Sequence, residues 1–303
     1  MNTKTLLSVV GPTAIGKTKL AITLARHFNT EIISADSRQF YKEMAIGTAV
    51  PDADELAAAP HYFIQHKSIL ESYSVGDFEK DALKELEQLF TEKDIVVMVG
   101  GSGLYVDAVV KGLDSFPNID ASVRLDLNLL LEKEGVTALQ QKLEILDPEY
   151  YNKVDKDNPH RLIRALEVCI GSGKPYSTFL NQDKPKRPFS IITIGIMADR
   201  EIIYDRINAR VDIMIQNGLL EEAKALLEHK NLNALQTVGY RELFQFFNGN
   251  WTLEFALSEI KKNTRRFAKR QLTWFKRNKE TLWVNYNDNT KEIIATIENK
   301  LKA

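Results

Sequence analysis

Over the first hundred or so residues, short apolar runs alternate with amphipathic stretches. Thr5 to Val10, Glu31 to Ala35 and Ile95 to Val99 read as strands, while the segment beginning at Lys17 and the one from Asp77 to Glu92 carry apolar positions at helical spacing. Leu6 to Val10 and Ile95 to Val99 are nearly continuous apolar runs, the pattern of strands covered on both faces. The rhythm predicts βαβ units and therefore an α/β fold, a parallel sheet with flanking helices.

After Gly112 the pattern changes. Helices with charged faces are expected over Asp120 to Glu134 and Pro159 to Ile170, followed by a Pro/Lys-rich stretch, Lys184 to Pro188. Ile191 to Ile196 then resumes a buried strand. The expectation is a discontinuous core, residues 1–114 and 191–303, carrying an inserted helical lobe over 115–190. The last third is helical, with Asp199 as an N-cap and Ile203, Ile207, Val211 and Met214 on one face. From Leu253 an apolar stripe runs through Leu257, Ile260, Thr264, Phe267, Ala268, Leu272 and Phe275.

Composition narrows the class. With 303 residues, 44 % hydrophobic and 27 % charged, the chain is neither disordered, collagen-like nor a coiled-coil rod. No run approaches the roughly 20 apolar residues of a membrane helix, and the start lacks a signal cleavage pattern, so a cytoplasmic protein with no membrane partner is expected. The single cysteine, Cys169, lies among Leu166, Val168 and Ile170 and reads as a buried, inert thiol. His27, His61, His66 and His229 show no metal-ligand spacing.

The net charge of −1 hides an asymmetry. Between Lys261 and Lys279 stand nine basic residues and no acidic one, which leaves about −10 on the remainder. A helix that is merely soluble mixes signs, so this one is expected to face a polyanion; the alternative is a solvated face.

Gly11, Pro12, Thr13, Ala14, Ile15, Gly16, Lys17 and Thr18 match G-x-x-x-x-G-K-[ST] between a strand and a helix. Backbone N–H groups of such a loop turn toward one anion, the helix N-terminus adds its dipole, Lys17 supplies a charge and Thr18 is placed to hold Mg²⁺. The loop reads pyrophosphate geometry, not a nucleobase. No Walker-B acid follows Ile95 to Val99; Gly100, Gly101, Ser102 and Gly103 stand there instead. The acid at the ligand-binding edge of the sheet is Asp36, open to the roles of general base, Mg²⁺ partner or turn residue.

Nine segments taken in order resemble one family over nearly the whole chain: Gly11 to Thr18, Asp36 to Tyr41, Ile46 to Ala49, Tyr73 to Phe78, Gly100 to Tyr105, Asn158 to Glu167, Arg206 to Arg210, Val238 to Arg241 and Lys269 to Phe275. The family is that of the tRNA dimethylallyltransferases. The resemblance implies a P-loop α/β core with a helical insertion, and transfer of a dimethylallyl group from its pyrophosphate to the N6 amine of the adenine just 3′ of the anticodon, with Mg²⁺ and with tRNA as partner. It implies that Lys17, Thr18 and Arg210 gather the leaving charge, that Asp36 receives the amine's hydrogen bond, and that Ser102, where the family commonly has threonine, bonds near the reacting groups.

For the RNA, the resemblance implies contacts at Asp36, Ser37, Arg38, Gln39, Ser102 and Arg124, and at His160, Arg161, Leu162, Ile163 and Arg164. It adds Gln236, Thr237, Val238, Gly239, Tyr240 and Arg241, and then Lys269, Arg270, Gln271, Leu272, Thr273, Trp274, Phe275 and Lys276. The target base must be extruded to react. The chain is expected to act as a monomer. Two rival readings are a small-molecule P-loop kinase, which shares the missing Walker-B acid, and a non-catalytic RNA-binding protein with a relic P-loop.

Overall fold

In the computed structural model, which describes residues 4–182, 184 and 186–302, six parallel strands form one sheet. They are β1 (Thr5–Val10), β2 (Ile32–Ser34), β3 (His61–Tyr62), β4 (Ile95–Gly100), β5 (Ser190–Met197) and β6 (Leu282–Asn285), in the order β3-β2-β4-β1-β5-β6. Strand β1 is buried at every position and pairs with β4 and β5, Thr5 lying opposite both Ile95 and Ser190. Its central place explains why its apolar run does not alternate.

The two faces of β1 feed two layers. Leu7 and Val9 pack with α1 (Lys17–His27) through Leu20 and Leu24, and with residues that belong to later helices, Ile203, Ile207, Ile293 and Ile297. Leu6 and Val10 belong to the opposite layer with Phe78, Leu86, Val106, Tyr240, Ile260 and Phe275. The helices that supply these layers are α2 (Ala53–Ala58), α3 (Val75–Glu92) and α4 (Gly103–Lys111) before the insertion. The insertion holds α5 (Ala121–Glu134), α6 (Val136–Leu146), α7 (Pro148–Tyr151) and α8 (Pro159–Ser172). After it come α9 (Arg200–Gln216), α10 (Leu219–Ala225), α11 (Tyr240–Phe247), α12 (Leu253–Phe275) and α13 (Thr290–Lys302).

The chain divides into two compact units, one formed by the residues up to Lys111 with those from Arg187 onward, the other Gly112–Lys186. The second thus ends a few residues before the expected 190. Arg187 already belongs to the core, where its guanidinium bonds Glu79 at 2.6 Å and the carbonyls of Ala108 and Val109, and Phe189 is buried beside Phe90. Pro185, in the Pro/Lys-rich stretch, and the first three residues lie outside the described residues.

Within the second unit, α5, α6 and α8 enclose Leu127, Leu139, Leu143, Leu162, Leu166 and Cys169. Asn158 caps α8 through Arg161 N with Pro159 at its first position, a sequence-coded start. Cys169 is buried, and burial pushes its thiol up.

Candidate active site

Where β1 ends, the chain turns through Gly11 to Gly16 and enters α1. Gly16 holds a φ of 104°, a left-handed conformation that a Cβ would strain, and no side chain caps the helix. The first N–H groups of α1 therefore point into the loop, ready for an anion. Lys17 Nζ donates to the Pro12 carbonyl at 2.8 Å. Burial pushes the Lys17 ammonium down to about 8; Asp36 opposes this and Arg210 adds to it. Arg210, on α9, is itself lowered by burial and by Arg206, yet a guanidinium keeps its charge near neutrality. Arg206 donates from Nε to the Ala14 carbonyl at 2.7 Å and steadies the loop from outside.

Asp36 stands just past β2. Its Oδ1 accepts the Arg38 N–H at 3.2 Å and its carbonyl accepts the Gln39 N–H at 3.0 Å, so the turn role is real. The same carboxylate lines the cavities, and the turn and site readings coexist. Ser102 Oγ accepts the Ser37 N–H at 3.0 Å and lies 3.1 Å from the Ser37 hydroxyl. Ser102 thus braces the Asp36 turn against the glycine-rich turn after β4. Arg38 donates to the carbonyls of Asn233 and Ala234, both at 2.9 Å, tying that turn to the segment before α11.

Two cavities open above the sheet edge, and both are lined only by residues of the first unit. One, of about 840 Å³, holds the loop from Thr13 to Lys19 together with Gln39, Glu55 and Arg206. The other, of about 580 Å³, holds Ser37, Arg38, Ser102, Gln236 to Gly239, Arg241, Arg270, Gln271 and Trp274. Thr13, Asp36, Thr48, Ala49, Arg210 and Met214 line both. A chamber walled by the P-loop and a smaller polar and aromatic chamber therefore meet at one carboxylate and one guanidinium.

Some residues expected to contact RNA are buried in the chain. Leu162, Ile163, Tyr240, Gln271 and Phe275 are of this kind, and Gln271 also lines the smaller cavity. The stripe on α12 is also shifted, because Phe267 is exposed at the smaller cavity while Ala256 and Gln271 point inward. Trp274 Nε1 donates to Asp107 at 3.0 Å while its ring lines the cavity and the Arg277 guanidinium stacks on it, 4.8 Å from its centroid. Leu272 is half-buried against the sheet-facing core, and Thr273 is exposed with its hydroxyl bonded to the Lys269 carbonyl.

The basic run splits in two. Lys261 pairs with Asp212 and Lys262 with Glu259, whereas Lys269, Arg270 and Lys276 are exposed, with no carboxylate partner among the described residues. In the second unit Arg124 and Arg164 both bind Glu167, at 2.8 and 3.0 Å, while His160 and Arg161 are exposed. Arg206 and Glu222, by contrast, carry no role in the sequence reading. Arg206 lies in a segment quoted for resemblance, but Glu222 is an ordinary acid of a charged helix and offers no sequence signal.

The described residues contain no helix long and apolar enough to cross a membrane. The family described as IPP transferase matches residues 39–278. A protein of Christiangramia forsetii named tRNA dimethylallyltransferase is 64 % identical over 296 residues, 98 % of each chain. Among solved structures, the full-length tRNA isopentenylpyrophosphate transferase of Bacillus halodurans is 37 % identical with a TM-score of 0.73, covering 99 % of this chain and 97 % of that one. A eukaryotic dimethylallyltransferase described as acting on tRNA superposes with a TM-score of 0.84 at 26 % identity, covering 98 % of this chain and 79 % of that one.

Proposed function

This chain belongs to the IPP transferase family, and from that premise we propose that it transfers the dimethylallyl group of dimethylallyl pyrophosphate to the N6 amine of the adenine just 3′ of the tRNA anticodon. The observation that carries the reading is the meeting of the two cavities at Asp36 and Arg210. A donor seated on the P-loop and an adenine entering from the other side come together there.

The diphosphate takes the N–H groups of the Gly11 to Thr18 loop and the Lys17 ammonium, with Arg210 beside it. Lys17 and Arg210 face growing negative charge as the allylic C–O bond breaks, and their attraction is largest when that charge is fully formed. The exocyclic amine forms the new C–N bond and gives up one proton, for which the Asp36 carboxylate is the acceptor. Pyrophosphate is the other product. No nucleotide is consumed.

The oxygen donors of this chamber fit Mg²⁺. Thr18 brings a hydroxyl, and among the described residues no cluster of three or more His, Cys, Asp or Glu offers a separate metal site. The ion would be held by Thr18 and the diphosphate itself, the usual sharing for Mg²⁺ at phosphates, and would neutralise the leaving group. The exposed Lys269, Arg270 and Lys276, with Arg38 and Arg241 at the cavity, supply the charge for a tRNA backbone.

Incubation of the protein with dimethylallyl pyrophosphate, Mg²⁺ and unmodified tRNA, followed by digestion to nucleosides, tests the reading. The expected product is N6-dimethylallyladenosine with no ATP turnover. Phosphorylation of a small molecule, or RNA-stimulated ATP hydrolysis without a prenylated nucleoside, would overturn it.

A further inference from the structure

We propose that Glu222 is a positioning residue for the transfer, holding the Ala45–Ala49 strap as the wall shared by both cavities and so fixing the gap between donor and acceptor. The inference rests on the reading of the site given above.

Glu222 projects from α10 and its carboxylate takes four donors. Oε2 accepts the N–H groups of Ala45 and Ile46, at 2.9 and 2.8 Å. Oε1 accepts the Gly47 N–H at 2.9 Å and the Tyr240 hydroxyl at 2.6 Å. Three successive backbone N–H groups aimed at one anion form a nest, and removing the anion would leave them competing for water. Tyr240, the first residue of α11, is fully buried. Burial and the neighbouring Glu222 charge push its phenol far above the ordinary range, so it remains a donor.

The strap passes close to that ring at Gly47. A Cβ on Gly47 would fall 2.6 Å from the Tyr240 ring, so only glycine permits the approach. Its other end is gripped by Gln39, whose Nε2 donates to the carbonyls of Thr48 and Ala49 at 3.2 and 2.7 Å. Gln39 belongs to the turn that carries Asp36, through its N–H to the Asp36 carbonyl at 3.0 Å. One strap is therefore fixed at one end to the turn of the proton acceptor and at the other to α10 and α11.

Thr48 and Ala49 line both chambers beside Asp36 and Arg210, so a shift of the strap moves the partition between donor and acceptor. Glu222 itself lines neither cavity. It acts through the strap, and transfer between two separately bound groups is sensitive to displacements of about 1 Å.

The test compares wild type, Glu222→Gln and Tyr240→Phe in transfer assays, with circular dichroism to normalise to folded protein. Dimethylallyl alcohol is measured alongside prenylated tRNA, since water attacking the allylic carbon breaks the same C–O bond and releases pyrophosphate and a proton. Glu222→Gln is expected to lower kcat by about tenfold or more with KM for either substrate within about threefold, and to raise the share of alcohol. Tyr240→Phe, which keeps the three backbone bonds, should move both readouts less and in the same direction. It carries the test if Glu222→Gln does not fold. Normal kcat and product share in the folded variants, with only thermal stability reduced, would overturn the proposal. A wild-type protein that makes no prenylated nucleoside would overturn the reading of the site instead.

Discussion

Gln271 Oε1 accepts a hydrogen bond from the Thr13 backbone N–H at 2.8 Å, so the basic helix α12 grips the phosphate loop directly. The other end of the same amide donates to the Gly101 carbonyl at 2.9 Å, and the residue is buried. One face of α12 thus presents Lys269 and Arg270 to solvent while the other clasps two turns of the active site.

Gln271→Leu keeps the volume and removes both bonds, leaving the Thr13 N–H and Gly101 carbonyl without partners at about 1–3 kcal/mol each. A lower melting temperature and weaker binding of an unreactive dimethylallyl pyrophosphate analogue are expected, the latter read by calorimetry in the absence of RNA. Unchanged analogue affinity would mean that the clasp serves stability alone.

Gln271 also shows where the sequence stops being informative. Helical phase places it next to basic residues, but phase alone says nothing of what packs against the helix, and Gln271 enters the sequence reading only as an RNA contact implied by the family resemblance. The strands β1, β4 and β5 and the long helices α3, α9 and α12 are legible because their burial pattern spans many residues. Two-residue β3, the short α2, α10 and α11, and half-exposed β6 carry too few positions to set a period. Within the site, the P-loop and Asp36 are local signals and were readable. The Glu222 bonds to residues 175–177 positions away and the Arg206 bond 192 positions away are made only by the tertiary fold.

Asp36→Asn retains an acceptor for the Arg38 N–H, so the turn should survive, but it loses the carboxylate proposed as proton acceptor. Single-turnover rates should fall by roughly 10²- to 10⁴-fold with tRNA affinity little changed. A variant that turns over near the wild-type rate would confine Asp36 to the turn.

On the proposed reading of the site, Lys17 should make diphosphate binding pH-dependent. Its ammonium, held down to about 8 in the free protein, loses its proton as pH rises through that value, and a bound anion favours the charged form. Affinity for the analogue should be level up to about pH 8 and then weaken by at most about tenfold per pH unit. The same depression affects folding with a definite sign. Between about 8 and the unfolded value of 10.5 the unfolded chain binds more protons, so the ligand-free protein gains stability as pH rises through that window. Lys17→Met should abolish both trends; their persistence would place the titrating group elsewhere.

His66 sets an acid limit. Its ring packs edge-on against Phe40, Phe63 and Tyr73, and neither buried nitrogen has a hydrogen-bond partner among the described residues. Burial pushes it down, Lys67 and Lys42 push the same way, and Asp81 and Glu71 push back. The unfolded chain takes the proton first as pH falls below 6.5, so stability present above that value is lost on acidification, at up to about 1.4 kcal/mol per pH unit. Urea titrations at pH 7.5 and 5 should show a smaller loss for His66→Phe than for wild type. Equal losses would assign the acid sensitivity to other groups.

In the second unit, Arg161 and Arg164 sit three apart on α8 but have different surroundings. Arg164 and Arg124 share Glu167, a buried carboxylate that burial alone would raise but that the two guanidinium bonds hold below its ordinary range. Arg164 also lies over the Phe116 ring, 4.9 Å from its centroid. Arg161 is exposed, with no carboxylate partner among the described residues. Arg164→Ala therefore strips one partner from a buried charge and should cost about 1–2 kcal/mol of stability, less than a fully buried pair because the arginine is partly solvated. Arg161→Ala should leave stability within about 0.5 kcal/mol while weakening tRNA binding and reducing its salt dependence by about 0.7 in slope, one phosphate's share. Replacing Lys269 and Arg270 together should flatten the slope by about one to two units. If Arg161→Ala binds tRNA normally at every salt concentration, its charge serves only to solvate α8.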